Sequence, residues 1–399
     1  MSASSSASAS GIDLQASARQ HLDDLVAFPT VTADPNVALI DHVEQVLRGI
    51  GAQVRRTTDA SGDKANLFAT IGPAVDGGVV LSGHTDVVPA GEPGWSSDPF
   101  VVVERDGRLY GRGTVDMKGF LACALAVAPG FAASELERPL HLAFTFDEEV
   151  GCLGAPLLID DLVAHGPMPS AAIVGEPTSM GIVHAHKGCF EYTTTITGVA
   201  GHGSAPAAAV NAIDAGARYV TALSQLAARL RADPPEASPF DPPETTINVG
   251  VIGGGAARNV VADACRIEWD LRTVRPGEVD EVLAQVRAVE DELGADLAAR
   301  DPAAGIVTTT IGAVDGLAPD ADSVAVRLTR QLLDDPQAPL EVASFSTEAG
   351  LFQAAGVPAV VCGPGSIDVA HRPDEFIEVA QLEACLAMLE RLRRELSAG

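Results

Sequence analysis

The chain has few basic residues and few aromatic residues for its length. Its 399 residues include 26 Lys and Arg against 54 Asp and Glu, a formal net charge of −28, and 4% are aromatic. Phosphate binding needs clustered Lys and Arg, so this balance argues against nucleic acid as a partner. The acidity has two readings, a solubility trait of the source organism or a negative field that attracts a cationic substrate, and we favour the first.

Paired cysteines and long apolar runs are also missing. The six cysteines form no CxxC pair, and several lie in apolar stretches as buried free thiols do, which predicts a cytoplasmic protein. The N-terminal segment lacks the basic and apolar regions of a signal peptide. No apolar run of about 18 residues is evident, so we expect a soluble protein without a membrane partner.

Several common catalytic motifs are absent from the sequence. It contains no GxSxG nucleophile elbow, no P-loop and no HExxH zinc-binding helix. Serine catalysis and nucleotide binding are therefore disfavoured, and any metal ligands must come from another pattern.

The pattern of apolar residues changes twice along the chain and predicts two domains. Residues 16–188 and 306–399 alternate helical patterns with short apolar strands, which predicts an α/β domain with helices on the faces of a sheet. Residues 189–305 combine alternating strands with two long amphipathic helix patterns, which predicts a smaller inserted α+β domain. Residues 1–15 are predicted to form a disordered tail.

Acidic and histidine side chains follow several predicted strands at the point where each strand ends. His84 closes one apolar strand, Glu148 and Glu149 follow another, and Glu176 follows a third. Ligands of open α/β sheets gather at the carboxyl ends of strands, so these side chains are expected to meet. Any one of them alone is better explained as a structural polar group. Their shared placement predicts a metal-hydrolase site.

Three further residues fit the same site. Asp116 lies in a Gly-rich turn before a helical pattern, where a carboxylate can bridge two cations. His371 lies just beyond another Gly-rich turn. Asp86 follows His84 by two residues, so an extended backbone puts both on one side, where Asp86 can orient the imidazole.

The blocks around these residues resemble those of a known family, the dinuclear zinc aminoacylase and carboxypeptidase superfamily, or M20 metallopeptidases. Within it the blocks are most similar to those of the acetylornithine deacetylases. The resemblance implies a zinc-exopeptidase-like catalytic domain with a mixed sheet, plus an inserted dimerisation domain. Six blocks in the family's order carry it: GHTDVVP (83–89), GRGTVDMKG (111–119), DEEVGCLGA (147–155), GEPT (175–178), GHGSAP (201–206) and GPGSIDVAHRPDEF (363–376).

The resemblance also implies a metal complement of two Zn²⁺ ions, with Co²⁺ or Mn²⁺ as substitutes. His84 and Glu176 would bind one ion. His371 and Glu149 would bind the other, and Asp116 would bridge the two. Imidazole and carboxylate ligands suit zinc.

Catalytic and substrate-binding roles follow from the same resemblance. Glu148 would be the general base, and Asp86 would support the first histidine ligand. His202 is better explained from the residues alone as a turn histidine, but the resemblance makes it an oxyanion-stabilising residue that acts in the partner subunit of a homodimer. Asn259 and Arg272 would hold the carboxylate of the substrate.

The implied activity is removal of the acetyl group from an N-acyl amino acid, N2-acetyl-L-ornithine above all, in arginine synthesis. The alternatives are a succinyl-diaminopimelate desuccinylase, an acetylcitrulline deacetylase, a dipeptidase, or an inactive relative that serves as a binding or scaffold protein. Leu351 stands where desuccinylases carry an arginine. Glu348 either faces a cationic substrate side chain or is a structural carboxylate.

Overall fold

A computed structural model describes residues 13–32 and 34–398. Helix α1 (Leu14–Val26) begins inside the predicted tail, because Asp13 caps it by accepting hydrogen bonds from the backbone N–H groups of Gln15 and Ala16. The tail prediction is therefore too long by two residues at its end. Its first twelve residues lie outside the described part of the chain.

Helices and strands alternate along the described residues. The remaining helices are α2 (Val37–Gly49), α3 (Gly119–Ala132), α4 (Ala155–His165), α5 (Ala212–Ala232), α6 (Glu278–Arg300), α7 (Val324–Leu332), α8 (Ala349–Ala354) and α9 (Val379–Leu396). The strands are β1 (Gln53–Thr58), β2 (Ala65–Ile71), β3 (Val79–His84), β4 (Val103–Arg105), β5 (Arg108–Tyr110), β6 (Leu140–Thr145), β7 (Ala171–Val174), β8 (Ile182–His186), β9 (Cys189–Thr197), β10 (Gly201–His202), β11 (Thr246–Gly254), β12 (Val260–Val261), β13 (Ala264–Arg272), β14 (Gly305–Val314), β15 (Leu340–Ala343), β16 (Ala359–Val361) and β17 (Phe376–Glu378).

An eight-stranded mixed sheet forms the centre of the catalytic domain, which confirms the predicted α/β class. Its strand order is β1-β2-β6-β3-β7-β16-β8-β15, and β6, β3, β7 and β16 run parallel to their neighbours within that set. Helices α1, α2, α3, α7 and α9 bury apolar side chains in the core on one face, and α4 and α8 do so on the other. Parallel central strands place their carboxyl ends at one edge of the sheet.

Helix α3 is the most apolar helix of the core. The segment Thr114–Ala132, which contains it, is long enough and apolar enough to cross a membrane, with a mean hydropathy of 1.4. In the fold 83% of this segment is buried inside the protein, as expected for the central helix of a folded core.

The inserted domain is built on a four-stranded antiparallel sheet of order β11-β13-β9-β14. One face of this sheet packs against α5 and α6, and Tyr219 and Trp269 are buried between the layers. Strand β14 pairs with β9 through Val314, so the sheet continues past the predicted boundary at residue 305. The C-terminal boundary of the inserted domain therefore lies at the end of β14. Pairing with β9 assigns β14 to this domain, and the local pattern of apolar residues did not reveal it.

Candidate metal centre

The candidate site lies where three neighbouring parallel strands end. His84 is the last residue of β3 and pairs with Thr145 of β6, and Ser82 pairs with Val174 of β7. This register brings the residues that follow β6 and β7 to the same edge of the sheet as His84. Glu176 therefore lies beside His84 although the two residues are 92 positions apart along the chain.

Two histidine–carboxylate sets meet at this edge and share Asp116. The His84 Nε2 atom lies 3.1 Å from Asp116 Oδ1 and 3.6 Å from Glu176 Oε1. The His371 Nε2 atom lies 3.1 Å from Asp116 Oδ2 and 3.1 Å from Glu149 Oε2. The five residues predicted as ligands are thus close together, with the shared aspartate between the two sets.

The donor atoms fit a bound metal. Candidate ligand atoms of His84, Asp116 and Glu149 lie within 4.8 Å of one another, and so do those of His84, Glu148 and Glu176. The Oε1 atoms of Glu149 and Glu176 are buried and have no hydrogen-bond partner among the described residues. Buried carboxylate oxygens in this state require compensation, which a cation can supply. Geometry alone would also allow Glu148 as a ligand.

The electrostatics of the cluster also favour a cation. Burial raises the pKa of Glu148 and of Glu176 well above the usual value, and the neighbouring carboxylates raise it further. Hydrogen bonds to Asp116 and Glu149 raise the pKa of His371 to about 10. The site therefore concentrates negative charge in a poorly solvated space, and divalent cations would reverse this pattern of pKa shifts.

Asp86 links the two strands that carry the cluster. Its carboxylate accepts hydrogen bonds from the backbone N–H groups of Glu148 (3.2 Å) and Glu149 (3.3 Å) and from the Thr32 hydroxyl (3.1 Å). The His84 Nδ1 atom lies 2.9 Å from the backbone oxygen of Asp86 and 3.6 Å from its carboxylate. Burial alone would raise the pKa of Asp86, but His84 and these N–H donors outweigh burial and lower it.

A buried ion pair that the sequence analysis missed holds the Asp116 turn. Arg112 donates to Glu375 Oε2 at 2.9 Å and to the backbone oxygen of Pro89 at 3.1 Å. The other oxygen of Glu375 accepts from the backbone N–H groups of Val115 (3.0 Å) and Asp116 (3.2 Å). Arg112 and Glu375 are each 1% exposed. In the sequence, the available sign of this pair was that Arg112 lies in the family block 111–119 and Glu375 in the block 363–376.

A cavity of about 340 Å³ opens over the cluster and is closed on its other side by the inserted domain. Arg272 lies on its wall, as predicted for a substrate-binding residue, and its Nε donates to Asp270 at 3.0 Å. Cys189, Glu191 and Val314 line the same wall and were not singled out from the sequence. Polar residues occupy every second position of β9, and this alternation is the sequence signal that could have identified Glu191 as a residue of the polar face.

His202 and Asn259 lie together, away from this cavity. Strand β10 carries His202 and pairs with β12, and the Gly203 N–H donates to the Asn259 carbonyl at 2.8 Å. Both residues are exposed, and the His202 Nδ1 atom lies 2.7 Å from the Ser204 hydroxyl. The expectation that Asn259 and Arg272 share one site is not met within a single chain.

Glu348 does not reach the cavity wall. It is 1% exposed and accepts a hydrogen bond from the Ser82 hydroxyl at 3.0 Å, beneath the end of β3. Burial raises the pKa of Glu348. The prediction that Glu348 faces a substrate side chain is corrected, because α8 begins directly after it and carries the carboxyl group under the sheet.

Known proteins show which family has this arrangement. A sequence model of peptidase family M20/M25/M40 matches residues 80–395. The chain is 38% identical over 380 residues to the acetylornithine deacetylase of Myxococcus xanthus, covering 94% of this chain and 96% of that one. It is 35% identical over 379 residues to the acetylornithine deacetylase of Proteus mirabilis, covering 92% and 94%.

Solved structures share the fold at low identity. A tripeptidase from Staphylococcus aureus superposes with a TM-score of 0.73 at 19% identity, over 97% of this chain and 99% of that one. An M20 family metallo-carboxypeptidase from Sulfolobus solfataricus does so with a TM-score of 0.73 at 17% identity, over 94% and 98%. A dinuclear metal-binding M20 peptidase from Bacillus subtilis has a TM-score of 0.63 at 16% identity, over 96% and 98%. The chain belongs to peptidase family M20/M25/M40 and is a metal-dependent amidohydrolase.

Proposed function

We propose that the protein hydrolyses N2-acetyl-L-ornithine to acetate and L-ornithine, a step that serves arginine synthesis. The observation that carries the proposal is the joining of two histidine–carboxylate sets through Asp116 in a cavity that also contains Arg272. The substrate is supported by relatives 35–38% identical that are named acetylornithine deacetylase.

The contacts within the cluster support two metal positions. His84 and Glu176 would hold one Zn²⁺, His371 and Glu149 the other, with Asp116 between them. Co²⁺ or Mn²⁺ would substitute, because imidazole and carboxylate ligands accept both. Two cations bound here would acidify water and polarise the scissile carbonyl.

The protein's own groups would bind the substrate and transfer the proton. Glu148 would take a proton from the attacking water and return it to the leaving amine, which releases ornithine. Arg272 would bind the α-carboxylate of the substrate, since its planar guanidinium suits a two-point contact. Asp86 would act on neither substrate nor water, but would keep the backbone of Glu148 in place through the hydrogen bond to its N–H.

A homodimer would complete the site. His202 and Asn259 are exposed on the inserted domain and do not line the cavity of their own chain. In a dimer joined through this domain they would enter the partner's cavity, where His202 would stabilise the oxyanion. Six buried cysteines without disulfide bonds fit a reducing compartment, and we propose the cytoplasm.

A substrate panel with metal analysis tests the proposal. Zinc-loaded enzyme is assayed on N2-acetylornithine, acetylcitrulline, succinyl-diaminopimelate and a dipeptide, before and after removal of metal by a chelator. We expect the highest kcat/KM for N2-acetylornithine, loss of activity with chelator, and about two metal ions per chain. A higher kcat/KM for any other substrate would contradict the substrate assignment.

Two alternatives lose support at particular residues. A desuccinylase would need a cation for the succinyl carboxylate, yet Leu351 is a half-buried apolar residue. It packs against an apolar cluster whose members Cys152, Cys189 and Val314 line the cavity. Leaving a carboxylate unpaired there would cost several kcal/mol. An inactive scaffold protein would have no need to retain Glu148 beside the complete ligand set.

A further inference from the structure

The wall of the cavity contributed by the inserted domain carries one carboxylate with no assigned role. Glu191 lines the cavity together with Arg272. In the described residues no Lys, Arg or His nitrogen lies within 4.0 Å of its carboxylate, and no side-chain hydrogen bond compensates it. Its carboxylate lies beside Gly312 of β14, where a Cβ atom would be in ordinary van der Waals contact with Glu191 Oε2 at 3.4 Å.

The charges of the cavity leave Glu191 unbalanced. Two divalent cations would balance the four acidic residues of the metal centre. Arg272 is the arginine of the cavity wall, and its Nε already donates to Asp270. A cationic group of a ligand would give Glu191 the partner it lacks, and an anionic group of the same ligand could accept from the remaining N–H donors of Arg272.

The strand register places these two side chains at a useful separation. Asp270 of β13 pairs directly with Glu191 of β9, and Arg272 lies two positions further along β13, on the same face. The Cα atoms of diagonal neighbours of this kind are about 7–8 Å apart. That distance suits an amino acid whose α-carboxylate meets the arginine and whose short side chain ends in a cation near the carboxylate.

We propose that Glu191 is the specificity-determining residue that binds the cationic side chain of the substrate. The inference rests on the proposed deacetylase function and assigns a substrate class, N-acyl amino acids with a short cationic side chain. It replaces Glu348, which is buried beneath β3. Loss of one charge-assisted hydrogen bond from such a contact lowers the affinity for the substrate roughly 10- to 100-fold.

The test compares N2-acetylornithine with the neutral N-acetylmethionine on wild type, Glu191→Gln and the control Glu268→Gln. Glu268 lies on the same face of β13 but outside the cavity, so the control removes an equal charge from the same sheet. We expect Glu191→Gln to lower kcat/KM for acetylornithine about tenfold or more, with less than a threefold change for acetylmethionine. Glu268→Gln should leave both values within twofold of wild type.

Charge reversal provides a second variant. Glu191→Lys should raise the rate on N-acetylglutamate relative to acetylornithine. The deciding quantity is the ratio of kcat/KM for acetylornithine to kcat/KM for acetylmethionine. If Glu191→Gln leaves this ratio unchanged, or if Glu268→Gln lowers it equally, the assignment of Glu191 is overturned while the proposed function stands. If zinc-loaded wild type cleaves none of the N-acetyl amino acids, the proposed function fails and this inference fails with it.

Discussion

At the scale of single residues, the adjacent acids Glu148 and Glu149 have different surroundings and therefore suit different chemical roles. Glu149 contacts His371 at 3.1 Å, while Glu148 makes no such contact with either histidine. Their backbone N–H groups are both held by Asp86. The side chains can therefore leave one rigid turn in different directions, one toward a metal and the other toward the water to be deprotonated.

Substitution of Glu148 should separate chemistry from metal binding. Glu148→Ala is expected to retain two metal ions per chain and to lose about 10²–10⁴ in kcat, the usual contribution of a general base. Asp116→Ala should lose both metal and turnover, because both of the proposed histidine ligands contact this aspartate. Metal analysis of each dialysed variant beside its kcat makes the comparison. Turnover like that of wild type in Glu148→Ala would contradict the assigned base.

Buried His141 should make stability depend on pH. Burial, with a smaller effect of Arg55, lowers the pKa of His141 to about 4 from the ordinary 6.5. Between these values the unfolded chain binds a proton that the folded chain does not, so stability falls as pH falls from 6.5 to 4. The loss is of order 3 kcal/mol, at about 1.4 kcal/mol per pKa unit.

The variant His141→Phe tests this dependence, since it keeps an aromatic ring against Phe68, which the imidazole stacks on at 5.1 Å. Free energies of unfolding of the metal-free proteins, measured in urea from pH 4 to 7, should fall less steeply in the variant. Thr70→Val is the control, because it removes the hydroxyl that contacts His141 at 3.0 Å but keeps the imidazole. Parallel curves for wild type and His141→Phe would refute the prediction.

At the scale of elements, close packing of α3 against the strand ends positions the ligands. Gly175 directly follows β7 and precedes Glu176, and a Cβ at this position would overlap the ring of Phe120 near the start of α3. A Cβ at Gly363, just after β16, would in turn meet the backbone of Gly175. The helix and two strand ends thus approach so closely that the backbone before Glu176 has one available position.

Gly175→Ala should therefore weaken both folding and metal binding. Overpacking of this kind costs about 1–3 kcal/mol, and the displaced backbone carries Glu176 with it. The urea midpoint should fall, and zinc should bind more weakly in a competition assay with a chelating dye. Gly305→Ala is the matched control, because a Cβ there meets open space. Equal effects of the two substitutions would show that close packing at Gly175 is not the cause.

At the scale of the whole molecule, the insertion of one domain into another creates the cavity and leaves His202 and Asn259 exposed. Arg272 and Glu191 face the metal cluster, while His202 and Asn259 lie on the surface of the same inserted domain. Gly151 of the catalytic domain and Gly312 of β14 touch where the domains meet, and a Cβ on Gly151 would lie 2.7 Å from the Gly312 Cα. Glycine at both positions therefore allows the two backbones to approach closely beside the site.

Mixing two inactive variants tests whether His202 acts in the partner subunit. A chain with His202→Ala and a chain with Glu148→Ala would each be inactive, but their heterodimer contains one intact composite site. Random exchange of subunits makes about half of the dimers mixed, so roughly a quarter of wild-type activity should return. Mixed dimers that form, as seen by mass spectrometry, but remain inactive would rule out action in the partner subunit.

The sequence by itself determined the local elements and the residues proposed as metal ligands. The apolar run of residues 171–174 forms β7, and the amphipathic pattern that starts at residue 278 forms α6. Alternation, apolar runs and capping residues are local signals, so element type follows from them. The proposed ligands His84, Glu149 and Glu176 could be found in the same way, because each ends or follows a strand, while the family resemblance supplied their individual roles.

Only the tertiary structure decided which side chains share a wall. β14 belongs to the inserted domain because it pairs with β9, a partner more than 100 residues earlier that no local pattern reveals. Glu348 and Glu191 are both acids near a strand or helix end, yet one is buried under β3 and the other lines the cavity. Strand register and domain insertion make that difference, since both depend on contacts between residues far apart along the chain.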